Sequence, residues 1–213
     1  MALDQPHTAL LRACLEQFRP PDARVALDLA CGAGHKTAWL RACCPPEALV
    51  VGLDHASAAL AAARFANPTG PWVRADAQAL PLRDASLDLI WCVAALHLLD
   101  DPQQGLGEAL RVLRPGGSLL LVTATTRWVR LRPPPAHPTD PLPALADDLG
   151  HDLAGMLTAV GFPPPRLHAL LLDPPGLSLT AAAAPLLDWP DLEPAEPEPQ
   201  PILLVAHGAK PCR

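Results

Sequence analysis

Short apolar runs recur along the first 125 residues of the chain and alternate with segments of helical character. The runs predicted to be strands are 24–30, 48–54, 71–77, 87–95 and 118–125. A regular alternation of strands and helices predicts a parallel sheet with helices on both faces. Because the strands are apolar along nearly their whole length, the sheet is expected to be buried on both sides, with its ligand beyond the carboxyl ends of the strands.

Three helices are predicted between these strands. One spans 34–44, and the alanine-rich segment 57–66 is a second, with Ser57 placed as its N-cap. The third begins at Asp101-Pro102, a capping residue followed by proline in the first helical position. It carries leucines at spacings of four and three, which is the period of a helix with one buried face.

The rest of the chain carries other predicted segments. They are an amphipathic helix at 3–18, a turn at 114–117, a loop near the expected site at 126–141, helices at 142–162 and about 178–188, strands at 165–173 and 201–208, and a Pro/Glu-rich linker at 190–200. Gly161 is placed to end the helix at 142–162. Since 213 residues suit one α/β domain, a single domain over 1–213 is expected.

The first predicted strand leads directly into a glycine-containing loop and then into a helix. Asp28 stands near the strand end, and Gly32 and Gly34 follow it. Glycine lets the backbone turn tightly and approach a ligand, and the helix N-terminus supplies free N–H groups. The second strand ends at Asp54, 20 residues after Gly34, a spacing at which a carboxylate accepts hydrogen bonds from ribose hydroxyls. The two features together predict an adenosine-type ligand.

The same loop lacks the residues that hold a pyrophosphate. Thr37 occupies the position where the dinucleotide fingerprint G-x-G-x-x-G/A has its third small residue. A P-loop needs glycine directly before lysine, whereas His35 separates Gly34 from Lys36 and no earlier glycine lies at the required offset. A ligand with ribose and adenine but no phosphate, such as S-adenosylmethionine (SAM), therefore fits better. A NAD(P)-dependent oxidoreductase is the disfavoured alternative.

Four sequence blocks follow one another along the chain: ALDLACGAG (26–34), VVGLDHA (50–56), RADAQALPLRDASLDLIWC (74–92) and LHLLDDPQQGLGEALRVLRPGGSLLLV (96–122). In these blocks the chain resembles class I SAM-dependent methyltransferases, particularly the ubiquinone/menaquinone-biosynthesis type (a methyltransferase type 11 domain). The last two blocks are specific, because few other families place D-A-x-x-L-P before one strand and R-V-L-R-P-G-G before the next. The terminal LLVAHGAKP is similar to the family's last strand, so the resemblance covers essentially the whole chain.

The resemblance implies a fold and an activity. The fold is a Rossmann-like three-layer α/β/α sandwich, with a seven-stranded, mostly parallel sheet of order 3-2-1-4-5-7-6 whose last strand is antiparallel. The activity is transfer of a methyl group from SAM to a small molecule, with release of S-adenosylhomocysteine (SAH). A SAM-binding member of the fold without catalytic activity is a further alternative.

The resemblance also implies roles for individual residues. The residues it assigns to the methionine part of SAM are Asp28 and the loop residues Ala30, Cys31, Gly32 and Gly34. Those assigned to the rest of the cofactor are Asp54 for the ribose, Asp76 and the Ala77 N–H for adenine, and the Cys92 region near the reactive methyl. Ala30 departs from the family, which often has glycine there, and is expected to be tolerated if its φ is negative.

Several of these residues have a simpler structural interpretation. The aspartates at strand ends are also suited to capping a loop or a helix. His55 is placed either to stack on adenine or to remain in solvent. His97, just after the fourth strand, is the candidate catalytic base or substrate contact, because histidine titrates near neutral pH. We favour the alternative, in which His97 is a buried, hydrogen-bonded side chain beside two leucines.

Charge and composition narrow the class of partner. A net charge of −6 without any Lys/Arg run disfavours a nucleic-acid substrate. No signal peptide is recognised, and no apolar run approaches the roughly 20 residues of a membrane span, so a cytoplasmic protein is expected. The six cysteines form no CxxC pair, which predicts free thiols, mostly buried, and no metal site. The expected partner is a small-molecule methyl acceptor, and the expected assembly is a monomer or a homodimer.

Overall fold

The structure, a computed structural model, describes residues 11–12, 15–124, 153–172, 179–180 and 200–212. The strands are β1 Val25–Leu29, β2 Leu49–Asp54, β3 Trp72–Arg74, β4 Leu87–Val93, β5 Leu113–Ala124, β6 Arg166–Leu172, β7 Leu179–Thr180 and β8 Gln200–Ala209. The helices are α1, described at 11–12 and 15–18, α2 His35–Cys43, α3 Ser57–Ala66, α4 Pro102–Val112 and α5 at 153–159, and a 3₁₀ turn spans Leu96–Leu98.

The described strands form one sheet of order β3-β2-β1-β4-β5-β8-β6-β7. Strands β1 to β5 are parallel, and β8 runs antiparallel between β5 and β6. The implied order 3-2-1-4-5-7-6 with an antiparallel last strand is therefore confirmed, with β8 as the seventh strand of that scheme. The sheet has one strand more than expected, because the two-residue β7 pairs with the free edge of β6.

Strand β7 lies inside the range predicted to be a helix at about 178–188. For Leu179 and Thr180 that prediction is wrong, since they pair antiparallel with Leu172 and Leu171. The edge of β6 offers unpaired N–H and C=O groups, and pairing with them competes with local helix formation. The remaining residues of the predicted helix lie outside the described ranges.

The central strands are buried on both faces, as their apolar sequences predict. Leu27 and Leu29 of β1 belong to a core cluster with residues of α4 and α5, whereas Ala26 belongs to a second cluster with residues of α1 and α2. This alternation follows from the two-residue period of strand side chains. Trp91 of β4 is fully buried in the second cluster. The sheet is thus the middle layer of a three-layer α/β/α sandwich.

The turn predicted at 114–117 is part of β5 rather than a boundary before it. Residues 114–117 form a bulge, because the strand residues on either side of them pair with Leu87 and Leu89, only two apart on β4. Gly116 has a φ of 78°, the left-handed conformation that glycine adopts without strain. The positive φ predicted for the R-P-G-G sequence is therefore confirmed at Gly116. The strand boundary predicted there is wrong, because pairing with β4 continues past the bulge.

The helix starts agree with one prediction and correct another. Asp101 caps α4 as predicted, and its carboxylate accepts from the Gln104 N–H at 2.9 Å. The N-cap of α3 is Ala56 rather than Ser57, which is the first helical residue and makes no capping bond. The Asp54 carboxylate accepts from the Ala56 N–H at 2.8 Å, so a residue of β2 stabilises this turn.

Some predictions fall wholly or partly outside the residues that the structure describes. The helix predicted at 142–162 is described at 153–159, and Gly161, with a φ of 106°, ends it as expected. The predictions for 3–10, 126–141, 142–152 and most of 190–200 lie outside the described residues. Among the described helices, none has the length and apolar character that a membrane crossing requires.

Candidate cofactor site

The carboxyl ends of the first four strands meet at one edge of the sheet. β1 lies between β2 and β4, and Leu29 near its end pairs with Leu53 on one side and with Cys92 on the other. The chain continues from β1 toward β2, whereas β4 lies on the opposite side. This reversal of direction leaves a crevice beyond the strand ends, where α/β proteins bind their ligands.

The loop after β1 folds back over the end of β2. The Cys31 N–H donates to the Leu53 carbonyl at 3.0 Å, and the Gly34 N–H donates to the Cys31 carbonyl at 3.0 Å. Gly32 and Gly34 have φ values of 55° and 80°. Gly34 is also the N-cap of α2, so the loop ends at a helix N-terminus that opens toward the crevice.

Ala30 adopts a conformation that the sequence analysis did not expect. Its φ is +58°, so the assumption of a negative φ at this position is wrong. A left-handed conformation costs an L-residue with a Cβ roughly 1–2 kcal/mol, which explains why glycine suits this position better. Ala94, just after β4, has a φ of 55°. Strained residues thus follow both central strands that border the crevice, a location typical of functional sites.

Ala30→Gly is expected to raise the free energy of unfolding by up to about 1.5 kcal/mol. Relief of the left-handed strain, roughly 1–2 kcal/mol, is partly offset by the greater conformational freedom of glycine in the unfolded chain, about 0.5–1 kcal/mol. Urea denaturation of both proteins measures the difference. Ala62→Gly, at an exposed position inside α3, is the control and is expected to lower stability. If Ala30→Gly also lowered the free energy of unfolding, this result would contradict a strained backbone at Ala30.

Asp54 connects the loop after β1 to the turn before α3. Its side chain is nearly buried, and its two oxygens accept from the Gly32 N–H and the Ala56 N–H, both at 2.8 Å. Each carboxylate oxygen can accept a further hydrogen bond. Asp54 is therefore held in place by the backbone and keeps the acceptor capacity that two ribose hydroxyls require.

Asp28 lies beneath this loop and is completely buried. One carboxylate oxygen accepts from the Thr37 hydroxyl at 2.5 Å, and the other has no hydrogen-bond partner among the described residues. Burial raises the pKa of Asp28 to about 7, although the Thr37 hydrogen bond and the charge of Lys36 act in the opposite direction. A buried carboxylate oxygen without a donor is suited to a cationic or N–H-bearing ligand group.

Asp76 follows β3 and is exposed. One of its oxygens accepts from the Gln78 backbone N–H at 2.9 Å and from the Gln78 side-chain amide at 3.2 Å. These hydrogen bonds, together with the nearby His55, hold the pKa of Asp76 below its usual value. His55 also lies 3.6 Å from Asp54, so the acidic groups after β2 and β3 face one region of the molecule.

A separate cavity of about 520 Å³ lies beside the crevice, between α2 and α3. Its lining includes Gly34 and Trp72 but none of the three aspartates, so we do not assign the cofactor to it. The Trp72 ring packs against the backbone of Gly34 and Gly52. A Cβ added at Gly34 would lie 2.5 Å from the indole, and one at Gly52 would also collide with it.

Comparison with known proteins identifies the family. The family model described as a methyltransferase domain matches residues 27–121. Trans-aconitate 2-methyltransferase from Azoarcus sp. (strain BH72) is 40% identical over 114 residues, which are 54% of this chain and 44% of that protein. Malonyl-[acyl-carrier protein] O-methyltransferase from Hahella chejuensis is 38% identical over 103 residues, 47% of this chain and 37% of the relative. The chain thus spans less than half the length of these curated relatives.

A solved structure agrees over the whole length. The S-adenosylmethionine-dependent methyltransferase from Mesorhizobium loti is 25% identical, with 97% of this chain and 98% of that chain covered and a TM-score of 0.63. In residues 27–121 the chain carries a methyltransferase domain of the class I SAM-dependent type. Its cofactor is SAM, as the sequence predicted. The narrower resemblance to the ubiquinone/menaquinone type is not distinguished by these comparisons and stays a prediction.

The methyltransferase site suits SAM, which carries an amino acid, a ribose and an adenine but no phosphate. The partnerless oxygen of Asp28 is buried near the end of β1, and it suits a positively charged amino group. The spare acceptor capacity of Asp54 fits the ribose hydroxyls. Ala77 is buried next to the exposed Asp76, so its backbone and the carboxylate together fit the edge of a purine.

The cysteines near the methyltransferase site are buried and uncharged. Burial raises the pKa values of Cys31 and Cys92 to about 12 each. A thiol with such a pKa is protonated at neutral pH and is a poor nucleophile. Within the part of the chain that the structure describes, Cys31, Cys43, Cys44, Cys92 and Cys212 form no disulfide, and no group of three His, Cys, Asp or Glu residues is placed to hold a metal ion.

The two candidate histidines differ in exposure. The His55 side chain is 82% exposed, which leaves its ring available to cover adenine. His97 is buried in the 3₁₀ turn after β4, whereas its neighbour Leu98 is exposed. The burial of His97 agrees with the structural interpretation favoured from the sequence. Its catalytic role stays a prediction.

Sequence reasoning missed the residues that fasten the loop after β3 to helix α4. The Arg111 guanidinium donates to both oxygens of Glu108 at 2.7 Å and to the carbonyls of Leu82 and Leu80 at 2.8 and 3.0 Å. A further bond joins Arg111 to Asp84 at 2.6 Å. The available signal was Glu108 three residues before Arg111 on one helix, a spacing that brings the two side chains together.

Proposed function

We propose that this chain transfers the methyl group of SAM to a small-molecule acceptor and releases SAH. The observation that carries the proposal is the arrangement of carboxylates at or just after the carboxyl ends of three strands, around a loop without phosphate-binding residues. We expect Asp28 to contact the methionine part, Asp54 the ribose and Asp76 the adenine amino group. The backbone of residues 30–34 is expected to line the methionine part.

In the proposed reaction the protein mainly aligns the acceptor with the methyl group of SAM. SAM supplies an activated methyl group, because its leaving group is a neutral thioether. The rigid loop after β1 and the residues after β4 would fix the direction from which an acceptor approaches. Good alignment contributes roughly 7–11 kcal/mol to lowering a barrier. A general base is needed only for some acceptors, and His97, at the acceptor side of the crevice, is the candidate for that role.

The names of two relatives suggest an acceptor class. Two relatives are named for trans-aconitate and for malonyl-[acyl-carrier protein]. Both compounds carry a carboxylate, so small carboxylic acids are the first acceptors to test. A monomer or a homodimer remains the expected assembly.

Thermal unfolding with candidate ligands tests the proposed cofactor. SAM and SAH are expected to raise the melting temperature, and at 100 times the dissociation constant the gain is about 2.7 kcal/mol in the free energy of unfolding. NADH is expected to leave it unchanged. The Thr37 hydroxyl, bound to Asp28, occupies the position where a dinucleotide site needs a small residue. Stabilisation by NADH but not by SAH would favour the oxidoreductase alternative.

Turnover separates an enzyme from a non-catalytic binding protein. Incubation with SAM and a panel of carboxylic acids, phenols, amines and thiols is expected to release SAH with at least one acceptor. Protein without acceptor is the control for slow hydrolysis of SAM. Tight binding of SAM together with no release of SAH above this control, on any acceptor, would support the non-catalytic alternative.

A further inference from the structure

Gln78 joins the carboxylate of Asp76 to the start of helix α4. Its side-chain nitrogen lies 3.2 and 3.4 Å from the two oxygens of Asp76. Its side-chain oxygen accepts from the Asp101 N–H at 2.6 Å, and its carbonyl accepts from the Gln104 side chain at 2.9 Å. Because one amide group makes contacts at both ends, the Gln78 side chain is fixed between the loop and the helix.

The two carboxylate oxygens of Asp76 differ in their hydrogen bonds to Gln78. One oxygen accepts from both the backbone and the side chain of Gln78, at 2.9 and 3.2 Å. The other has only the longer contact of 3.4 Å and therefore retains its capacity to accept. An exposed aspartate without such partners rotates and exchanges its hydrogen bonds with water. Asp76 is instead held in one orientation before a ligand arrives, which lowers the entropic cost of binding.

The residues that hold Gln78 lie at the start of helix α4. Asp101 is the N-cap of α4 and accepts from the Gln104 N–H, so both residues that hold Gln78 belong to a capped helix start. At the other end of the same helix, Arg111 holds the carbonyls of Leu80 and Leu82. The loop after β3 is thus fastened to α4 at two points, one at Gln78 and the other at Leu80 and Leu82.

We propose that Gln78 is a positioning residue that gives the cofactor site its selectivity for the adenine amino group, by orienting Asp76. The proposal rests on the proposed function, since it requires that Asp76 accepts from adenine. Gln78 acts only through Asp76 and does not need to touch the cofactor. A ligand without the amino group cannot donate a hydrogen bond to Asp76, so the orientation of Asp76 does not increase the affinity for that ligand.

Two substitutions of similar length separate positioning from anchoring. Gln78→Glu keeps an oxygen for the Asp101 N–H but has no N–H for Asp76, and it places a second carboxylate beside the first. Gln78→Met removes both interactions. Gln103→Met is the control, because the Gln103 side chain is exposed on α4 and makes no hydrogen bond to the described residues. Melting temperatures of all three variants establish that each is folded.

The readout is the ratio of affinities for two ligands, measured by calorimetry. One is SAH, and the other is its 6-deamino analogue, in which hydrogen replaces the adenine amino group. Wild type and Gln103→Met are expected to prefer SAH to the same degree. In Gln78→Glu and Gln78→Met, SAH is expected to bind about three- to tenfold more weakly, which corresponds to one hydrogen bond, while the affinity for the analogue changes by less than about twofold.

Other results would overturn the inference in distinguishable ways. Equal weakening of both ligands would show that Gln78 only stabilises the loop. Wild-type behaviour of Gln78→Glu with loss in Gln78→Met would assign Gln78 to anchoring alone. A wild-type protein that binds both ligands equally would refute the contact between Asp76 and adenine. Failure of wild type to bind either ligand would instead overturn the proposed function, and this inference with it.

Discussion

Asp54→Ala is expected to weaken binding of SAH by about 10- to 150-fold for each charged hydrogen bond to the ribose that is lost, or about 1.5–3 kcal/mol. The effect is large because the same carboxylate also holds the Gly32 N–H and thereby shapes the loop after β1. Titration calorimetry of wild type and variant measures the change. Unchanged affinity would refute the ribose assignment.

Asp88→Ala is the matched control for this experiment. Asp88 also accepts two backbone N–H groups, those of Arg24 and Val25, both at 2.9 Å. It lies near the amino ends of β1 and β4, at the opposite edge of the sheet from the crevice. Loss of its hydrogen bonds is expected to lower stability and to leave the affinity for SAH unchanged. A similar loss of affinity in both variants would indicate a general effect of destabilisation.

Asp28 is expected to make the ligand-free protein less stable as the pH rises from about 4 to 7. The pKa of Asp28 is about 7 in the folded protein and that of an unperturbed aspartate is 3.8, so between these values the folded protein holds a proton that the unfolded chain has released. The free energy of unfolding therefore decreases with pH, because the native state binds more protons. The total contribution is on the order of 4 kcal/mol, and it is fully present only below pH 4.

Asp28→Asn tests this linkage, because the amide does not titrate and has nearly the same shape. Urea denaturation at pH 5 and pH 8 is expected to show a larger loss of stability in wild type than in the variant. SAM binding in wild type is expected to tighten between pH 5.5 and 7, as the ionised carboxylate attracts the cofactor's amino group. Equal pH dependence in the two proteins would show that Asp28 does not titrate in this range.

The resemblance was sufficient for the order of the strands, and the strand pattern was sufficient to place the three aspartates at one edge of the sheet. Asp28, Asp54 and Asp76 lie at or just after strands β1, β2 and β3, and a parallel sheet brings the carboxyl ends of its strands to one edge. Their different burial was not predictable, because it depends on how the loop after β1 folds over β2. The positive φ of Ala30 follows from the same fold of the loop, and nothing in the local sequence requires it.

The contacts that hold the loop after β3 were also beyond the sequence pattern. Gln78 and Asp101 are separated by 23 residues, and Arg111 and Leu82 by 29. Periodicity indicates which face of a helix is buried but not which side chain meets which carbonyl on another element. The R-P-G-G segment and the strand at 179–180 failed for a related reason, since pairing with a neighbouring strand outweighed local preference.

The packing of Trp72 on two glycines constrains how this protein can vary. The indole of the edge strand β3 occupies the volume that a side chain at Gly34 or Gly52 would need. Gly52 cannot gain even a methyl group unless residue 72 becomes smaller or the ring moves, and at Gly34 the φ of 80° strains a side chain in addition. Positions 34, 52 and 72 therefore behave as one unit, and sequences that descend from this one are expected to change them together.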